Sequence, residues 1–172
     1  MNSKIIAFAI EAHHKTNHLY DGKPYSVHLS MVAMNGLKYI DSVPLQMTEV
    51  VLNACWLHDT IEDCRLTYND INKVAGSMVA DIVYAVTNDK GKNRKERAGE
   101  KYYEGIRNTP YATYVKLCDR LANAQYSKDT NSKMLEVYQK ENIDFFNGLF
   151  PNNNLFIKRS VKPIHRFYVD GM

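Results

Sequence analysis

Residues 48–63 read TEVVLNACWLHDTIED, and their pattern governs how the rest of the chain is read. Thr48 suits the N-cap of a helix running to about His58. From Val50 to Leu57 apolar residues occupy most of the helix circumference, which predicts a buried helix. His58, Asp59, Glu62 and Asp63 follow at once. In a helical continuation His58 shares a face with Glu62 and Asp59 with Asp63, the two faces standing roughly 100° apart. Imidazole and carboxylate groups so placed converge on one ion. They emerge at the end of a buried helix, where an unpartnered carboxylate loses much of its hydration. A divalent cation supplies the missing partner. A lone His-Asp pair at a helix end is ordinarily a solvated one; the trailing Glu-Asp at helical spacing argues for a site.

Helical periodicity also dominates on either side. Residues 3–16 carry Ile6, Phe8, Ala9 and Ala12 at helical spacing. Residues 17–24 hold Asp21-Gly22 and Pro24, which predict a loop, with Pro24 opening a helix from about Tyr25 to Ile40. The expected apolar face of that helix is Val27, Met31, Met34 and Leu37. Thr67 or Asn69 caps a short helix ending at Gly76, and residues 77–88 form the next. Residues 89–99 (DKGKNRKERAG) are polar and basic and read as a loop merging into a helix. Pro110 opens a helix through Gln125, and residues 131–147 form one more. Alternating strand patterns are missing throughout, so the expected fold is all-α.

A length of 172 residues fits one domain with a real core. Cys55, Cys64 and Cys118 are odd in number and lack a CxxC pair, which argues against a disulfide framework and a thiolate zinc site. The formal charge of +3 is mild, does not require a nucleic-acid partner, and suits an anionic substrate where positive charge is local. The apolar runs are too short to span a membrane, and the first fifteen residues lack a signal peptide's pattern. The expected setting is the cytoplasm.

Two more residues stand out. His28 sits near the start of the second helix. Asp119 interrupts the apolar face formed by Val115, Leu117, Cys118, Leu121 and Ala122; Arg120 or Lys116 offers it a surface salt bridge as the ordinary alternative. With the block at 57–63 these residues fall into an ordered H…HD…D pattern. The chain resembles the HD superfamily, and more closely the hydrolase domain of RelA/SpoT proteins and the small alarmone hydrolases. The matching segments are Asp21 to His28, Leu57 to Asp63, Val86-Thr87-Asn88-Asp89-Lys90, and Val115 to Asn123.

The resemblance implies a single HD-domain helical bundle over residues 1–150, with a metal site between helices and a C-terminal extension at 151–172. It makes His28, His58, Asp59 and Asp119 the metal ligands. Such a ligand set suits manganese, zinc, iron or nickel, and the family most often uses Mn2+. It makes Glu62 and Asp63 the acidic pair that orients and deprotonates the attacking water, with Tyr25 and Thr60 supporting the site. It places Asn123 on the nucleotide's sugar-phosphate, on the helix face of Asp119. The basic stretch supplies Lys90, Lys92, Arg94, Lys95 and Arg97, of which Lys90, Arg94 and Lys95 are the leading candidates for holding substrate phosphates. Tyr102, Tyr103, Tyr111 and Tyr114 are an aromatic wall or, as is commoner, core and rim. His14 matches a family histidine with a structural role. The implied activity is removal of 3′-pyrophosphate from (p)ppGpp or a related alarmone, reversing stringent signalling. The length leaves no room for the synthetase and regulatory domains of the longer enzymes. The alternative is an HD-type phosphohydrolase acting on another nucleotide's 5′-phosphates or on a modified RNA end. An HD site that binds a nucleotide or protein partner without turnover is a third reading.

The family pattern breaks at Leu19-Tyr20, where an Arg-Lys pair is usual and the arginine stacks on guanine. Tyr20 can still stack on a base, but the cationic contact is lost. Residues 151–172 combine Lys158, Arg159, Lys162 and Arg166 with Phe156, Phe167 and Tyr168. They read as a packed arm in preference to a lid or an RNA contact.

Overall fold

In the computed structural model, residues 2–88 and 92–151 are described. The expectations for Lys90 and for residues 152–172 lie outside the described residues. Helix α1 (Ser3–Lys15) starts where the Asn2 side chain accepts the Lys4 N–H at 3.1 Å. Helix α2 (Ser26–Lys38) crosses α3 (Thr48–Leu57), and both meet α9 (Ala112–Asp129). Between α3 and α9 come α4 (Thr60–Asp63), α5 (Tyr68–Ala75), α6 (Ser77–Val86), α7 (Arg94–Arg97) and α8 (Glu100–Asn108), and α10 (Met134–Leu149) follows. The all-α expectation holds.

The exception is local. Leu19–Tyr20 and Lys23–Pro24 pair as a two-residue antiparallel hairpin, in place of the expected loop. Asp21 and Gly22 both have positive φ, 51° and 74°, the conformation that suits a tight hairpin turn. Pro24 therefore belongs to the hairpin, and α2 starts at Ser26 with Tyr25 at its N-cap. Thr48 is the first residue inside α3 instead of its cap, because a 3-10 turn at Leu45–Met47 runs straight into the helix. Thr67 does cap α5, reciprocally with Asp70. Pro110 stands two residues ahead of α9, whose N-cap is Tyr111.

The core face of α2 also differs from the expected one. Met34 and Leu37 are exposed, while His28, Leu29, Val32, Ala33, Asn35 and Gly36 are buried. Packing at two helices decides this. A Cβ at Gly36 would stand 3.0 Å from the Cys55 sulfur of α3, and the Tyr114 hydroxyl of α9 donates to the Gly36 carbonyl at 2.6 Å. Small residues let three backbones close together, and the longer methionine and leucine side chains turn outward. In α1 the buried stripe is Ile5, Ala9 and His13, one step round from the expected face.

Helix α3 is buried nearly all round, as its sequence predicts. Cys55, Cys64 and Cys118 are free and buried. Among the described residues, no helix is long and apolar enough to cross a membrane.

Helix α10 leans on α8 through a close approach: a Cβ at Gly148 would lie 2.5 Å from the Tyr103 ring, whereas one at Gly105 in α8 meets nothing within 4 Å. Gly148→Ala should therefore lose about 1–3 kcal/mol of stability by overpacking. Gly105→Ala should gain up to about 1 kcal/mol from helix propensity. Urea denaturation of the two variants checks this; equal midpoints would contradict the packing described.

Candidate metal centre and active site

Helix α3 stops at Leu57, and His58 and Asp59 occupy the turn before α4. Both keep right-handed helical backbone angles, and the Asp63 N–H still bonds the Asp59 carbonyl at 2.9 Å. The expected helical spacing thus survives across a break. The His58 Nδ1–H donates to the Cys55 carbonyl at 3.0 Å, which leaves Nε2 as the nitrogen facing inward. His28 brings its own Nε2 to 3.2 Å from that atom.

Two carboxylates close the group. Asp59 Oδ2 lies 2.8 Å from His58 Nε2 and 3.4 Å from His28 Nε2. Asp119 Oδ1 lies 3.3 Å from His28 Nε2 and 3.8 Å from His58 Nε2. One ligand atom each of His28, His58 and Asp119 falls within 4.8 Å of the others, and Asp59 touches both imidazoles. Neighbouring ligands of a tetrahedral ion held at about 2.1 Å stand about 3.4 Å apart, so the spacing fits a divalent cation.

The electrostatics fit as well. Burial works against charge on His28, but hydrogen bonds to Asp119 and Asp59 outweigh it and lift the imidazole to about 9. Burial likewise opposes ionisation of Asp59, and His58 and His28 overcome it, holding the carboxyl well below the usual range. Asp119 is held low in the same way, by Lys116 and His28 against its burial. The position favours positive charge and keeps its carboxylates ionised.

Each ligand candidate is braced. The Tyr25 hydroxyl donates to Asp59 Oδ2 at 2.6 Å. The Asn123 amide donates to Asp119 Oδ1 at 2.6 Å, and the Tyr20 hydroxyl donates to Asn123 Oδ1 at 3.0 Å. Lys116 reaches Asp119 Oδ2 at 3.0 Å. The ordinary salt bridge considered for Asp119 thus exists, yet it is buried and engages one oxygen while the other faces the histidines. Arg120 turns away, to Glu141 and the Tyr138 carbonyl. Thr60 is fully buried and donates to the Leu57 carbonyl at 2.6 Å, a support as expected.

A cavity of about 740 Å³ opens over this floor. Its wall includes Glu62, Asp63, Asn88, Arg97, Lys116 and Asn123. The acidic pair divides. Glu62 is exposed and receives the Asn88 backbone N–H and side-chain amide at 3.0–3.2 Å. Asp63 is half-buried, and burial with Asp59 and Glu62 nearby pushes it up to about 7.

The other expectations sort by position. Tyr20 is half-buried and stacks on His28 with ring centroids 4.8 Å apart, so one face of its ring backs a ligand. Arg94 and Lys95 fall in α7, and Arg97, another candidate of the basic stretch, lines the cavity. Tyr102 and Tyr103 line the cavity, whereas Tyr114 is core and Tyr111 has a left-handed backbone. His14 is exposed; the buried histidine of α1 is His13. Its signal is the stripe of Ile5, Ala9 and His13 at every fourth residue. His18, on the cavity wall, lies in the hairpin approach and carries no periodic signal.

Residues 6–153 match the HD domain family, and the chain belongs to it. It is 36% identical over 120 residues to the guanosine-3′,5′-bis(diphosphate) 3′-pyrophosphohydrolase MESH1 of Danio rerio, covering 69% of this chain and 64% of that protein. The same enzyme of Homo sapiens is 38% identical over 74 residues, 43% of this chain and 41% of the relative. A guanosine-3′,5′-bis(diphosphate) 3′-pyrophosphohydrolase of Aquifex aeolicus is 34% identical over 107 residues, 60% of this chain and 14% of the relative. The chain thus spans less than two thirds of each of these curated relatives. A solved structure, that of a metazoan ortholog of SpoT said to hydrolyze ppGpp and play a role in starvation responses, matches with a TM-score of 0.63 at 23% identity, over 96% of both chains. That likeness concerns the fold. An HD domain and a buried His/Asp group together make this a divalent-metal-binding protein.

The charge on His28 gives a pH signature in chelator-treated protein. A raised folded pKa contributes stability that is full below the ordinary imidazole pKa of about 6.5 and lost as pH rises; for His28 the loss completes near 9. Asp59 and Asp119, held low, contribute stability present above about 3.9 and lost below it. Urea titrations at pH 6 and pH 9.5 should differ by on the order of 2 kcal/mol, and His28→Gln should flatten that difference. An unchanged difference in the variant would place the titration elsewhere.

Proposed function

We propose that the protein is a metal-dependent phosphohydrolase that removes pyrophosphate from the 3′ position of (p)ppGpp or a related alarmone. The observation that carries this reading is the convergence of His28, His58, Asp59 and Asp119 beneath a cavity walled by Glu62, Asp63 and Asn123. The relatives named above carry that activity in their names. On this reading those four residues hold the ion, which is Mn2+. When bound, it supplies Lewis acidity toward water and a phosphate oxygen.

The protein's own groups do the rest. Asp63, poised near neutrality, accepts the proton of the attacking water, and Glu62, held by Asn88, orients that water. The water oxygen bonds to the phosphorus next to the sugar, and the 3′ oxygen–phosphorus bond breaks. The proton is returned to the leaving 3′ oxygen, giving pyrophosphate and a nucleotide with a free 3′-hydroxyl. Arg97 and Lys116 on the cavity wall, with Arg94 and Lys95 of α7 and Lys90 before it, attract the phosphates. Asn123 contacts the sugar-phosphate and Tyr20 backs the site. The setting is the cytoplasm, where buried free cysteines stay reduced.

Base preference rests on Leu19, which is exposed in the hairpin where the family's stacking arginine is usual. That residue favours a second reading: the same centre acting on an adenine alarmone or another nucleotide.

Purified protein with Mn2+ should release pyrophosphate from ppGpp or ppApp. Asp59→Asn and Asp119→Asn should abolish turnover, and Asp63→Asn should lower kcat by about 10²–10⁴. Release of only orthophosphate from a 5′ position across a nucleotide panel would overturn the reading. Leu19→Arg should raise kcat/KM for the guanine substrate over the adenine one by about fivefold, from roughly 1 kcal/mol of cation–π contact. An unchanged ratio would remove Leu19 from base selection.

A further inference from the structure

A second cluster of ligand-type groups lies beside the centre described above. His13 Nδ1 and His18 Nδ1 face each other at 3.2 Å, and His18 Nδ1 lies 3.4 Å from Asp63 Oδ2. One ligand atom of each residue falls within 4.8 Å of the other two. His13 is 1% exposed, and its Nε2 has no hydrogen-bond partner among the described residues.

The resemblance to the first centre is specific. There, too, two imidazole nitrogens stand 3.2 Å apart, a carboxylate oxygen sits within 3.4 Å of one of them, and His28 has its outward nitrogen, Nδ1, buried without a partner. As a bare hydrogen bond the second cluster is poorly matched. Either His13 Nδ1 carries the proton, which leaves the His18 lone pair beside the Asp63 oxygen, or His18 Nδ1 carries it and one proton is divided between two acceptors at 3.2 and 3.4 Å. A cation uses both lone pairs and the carboxylate at once. The rings are held for this: His13 and His18 stack on Tyr25 with centroids 4.2 and 4.1 Å away, and their planes lie within 24° of parallel. The same Tyr25 donates its hydroxyl to Asp59, so one side chain braces both clusters.

We infer that His13, His18 and Asp63 form a second divalent-cation site, suited to a borderline ion such as zinc or cobalt, next to the site at His28, His58, Asp59 and Asp119. The site has a functional consequence that rests on the proposed reaction: a carboxylate engaged by this cation no longer accepts a proton from water. Occupancy of the second site therefore lowers turnover, and an excess of the second ion inhibits.

Equilibrium dialysis of chelator-stripped protein against Co2+, with metal and protein quantified, tests the site without reference to activity. Wild type should hold two equivalents. His18→Gln, at a partly exposed position that tolerates the change, should hold one, and so should Asp63→Asn, which keeps side-chain shape. His58→Ala should also hold one, with a visible cobalt spectrum different from that of His18→Gln. A wild-type protein that saturates at one equivalent, lost in His58→Ala and kept in His18→Gln, overturns the second site and leaves the first standing. One equivalent lost in His18→Gln and kept in His58→Ala overturns the first and leaves the second. Two equivalents retained in both His18→Gln and Asp63→Asn overturn the assignment of ligands. In assays with Mn2+, added Zn2+ should inhibit wild type at least tenfold more strongly than His18→Gln; equal inhibition overturns the functional consequence alone.

Discussion

Two carboxylates, Asp119 buried and Asp59 largely so, beside two buried imidazoles are the constraint around which this fold is arranged. Asp59 and Asp119 are unfavourable in the interior unless opposite charge stands against them. His58, next to Asp59 in the chain, and His28, from α2, meet that need. The meeting sets the distance between α2, α3 and α9. Gly36 brings α2 against Cys55, and the Cys55 carbonyl in turn aims His58. Packing and chemistry are therefore settled by the same contacts: a larger residue at 36 would push apart the helices that carry His28 and His58.

The break between α3 and α4 has a comparable double role. It ends a helix that is apolar on nearly every side at the point where polar groups must appear. It keeps enough helical geometry for Asp59 and Asp63 to follow one another round the axis. Glu62 is thereby sent to the rim and Asp63 toward the interior, so adjacent acidic residues acquire different environments, and burial raises the pKa of Asp63.

Much of this is legible in the order of the amino acids. The helical periods locate most helices, and the ordered histidines and aspartates mark the centre. What escapes has physical causes. Periodicity misplaces the core face of α2 because it weighs Met34 and Leu37 by hydrophobicity, whereas close approach at Gly36 turns the opposite face, with Ala33, inward. The hairpin escapes because two-residue strands carry no alternation; only the positive φ pair at Asp21-Gly22 makes it. Of the adjacent histidines in α1, His13 is the buried one, and only Ile5 and Ala9 at four-residue spacing mark its face. The burial of Lys116 cannot be read from its charge, since its partners, Asp119 and the ring of Tyr102 5.8 Å away, are set by tertiary packing.

The four groups at the centre are spread along the chain from His28 in α2 to Asp119 in α9. A ribosome delivers them in that order, and domains form as units once their parts are available. A nascent chain that has emerged only as far as α8 holds three of the four groups, with a histidine pair and one aspartate but without the helix that closes the bundle on them. On the proposed ligand assignment, capture of an ion at this centre therefore waits for α9, and a chain stalled before it lacks the Asp119 carboxylate and the helix that carries it.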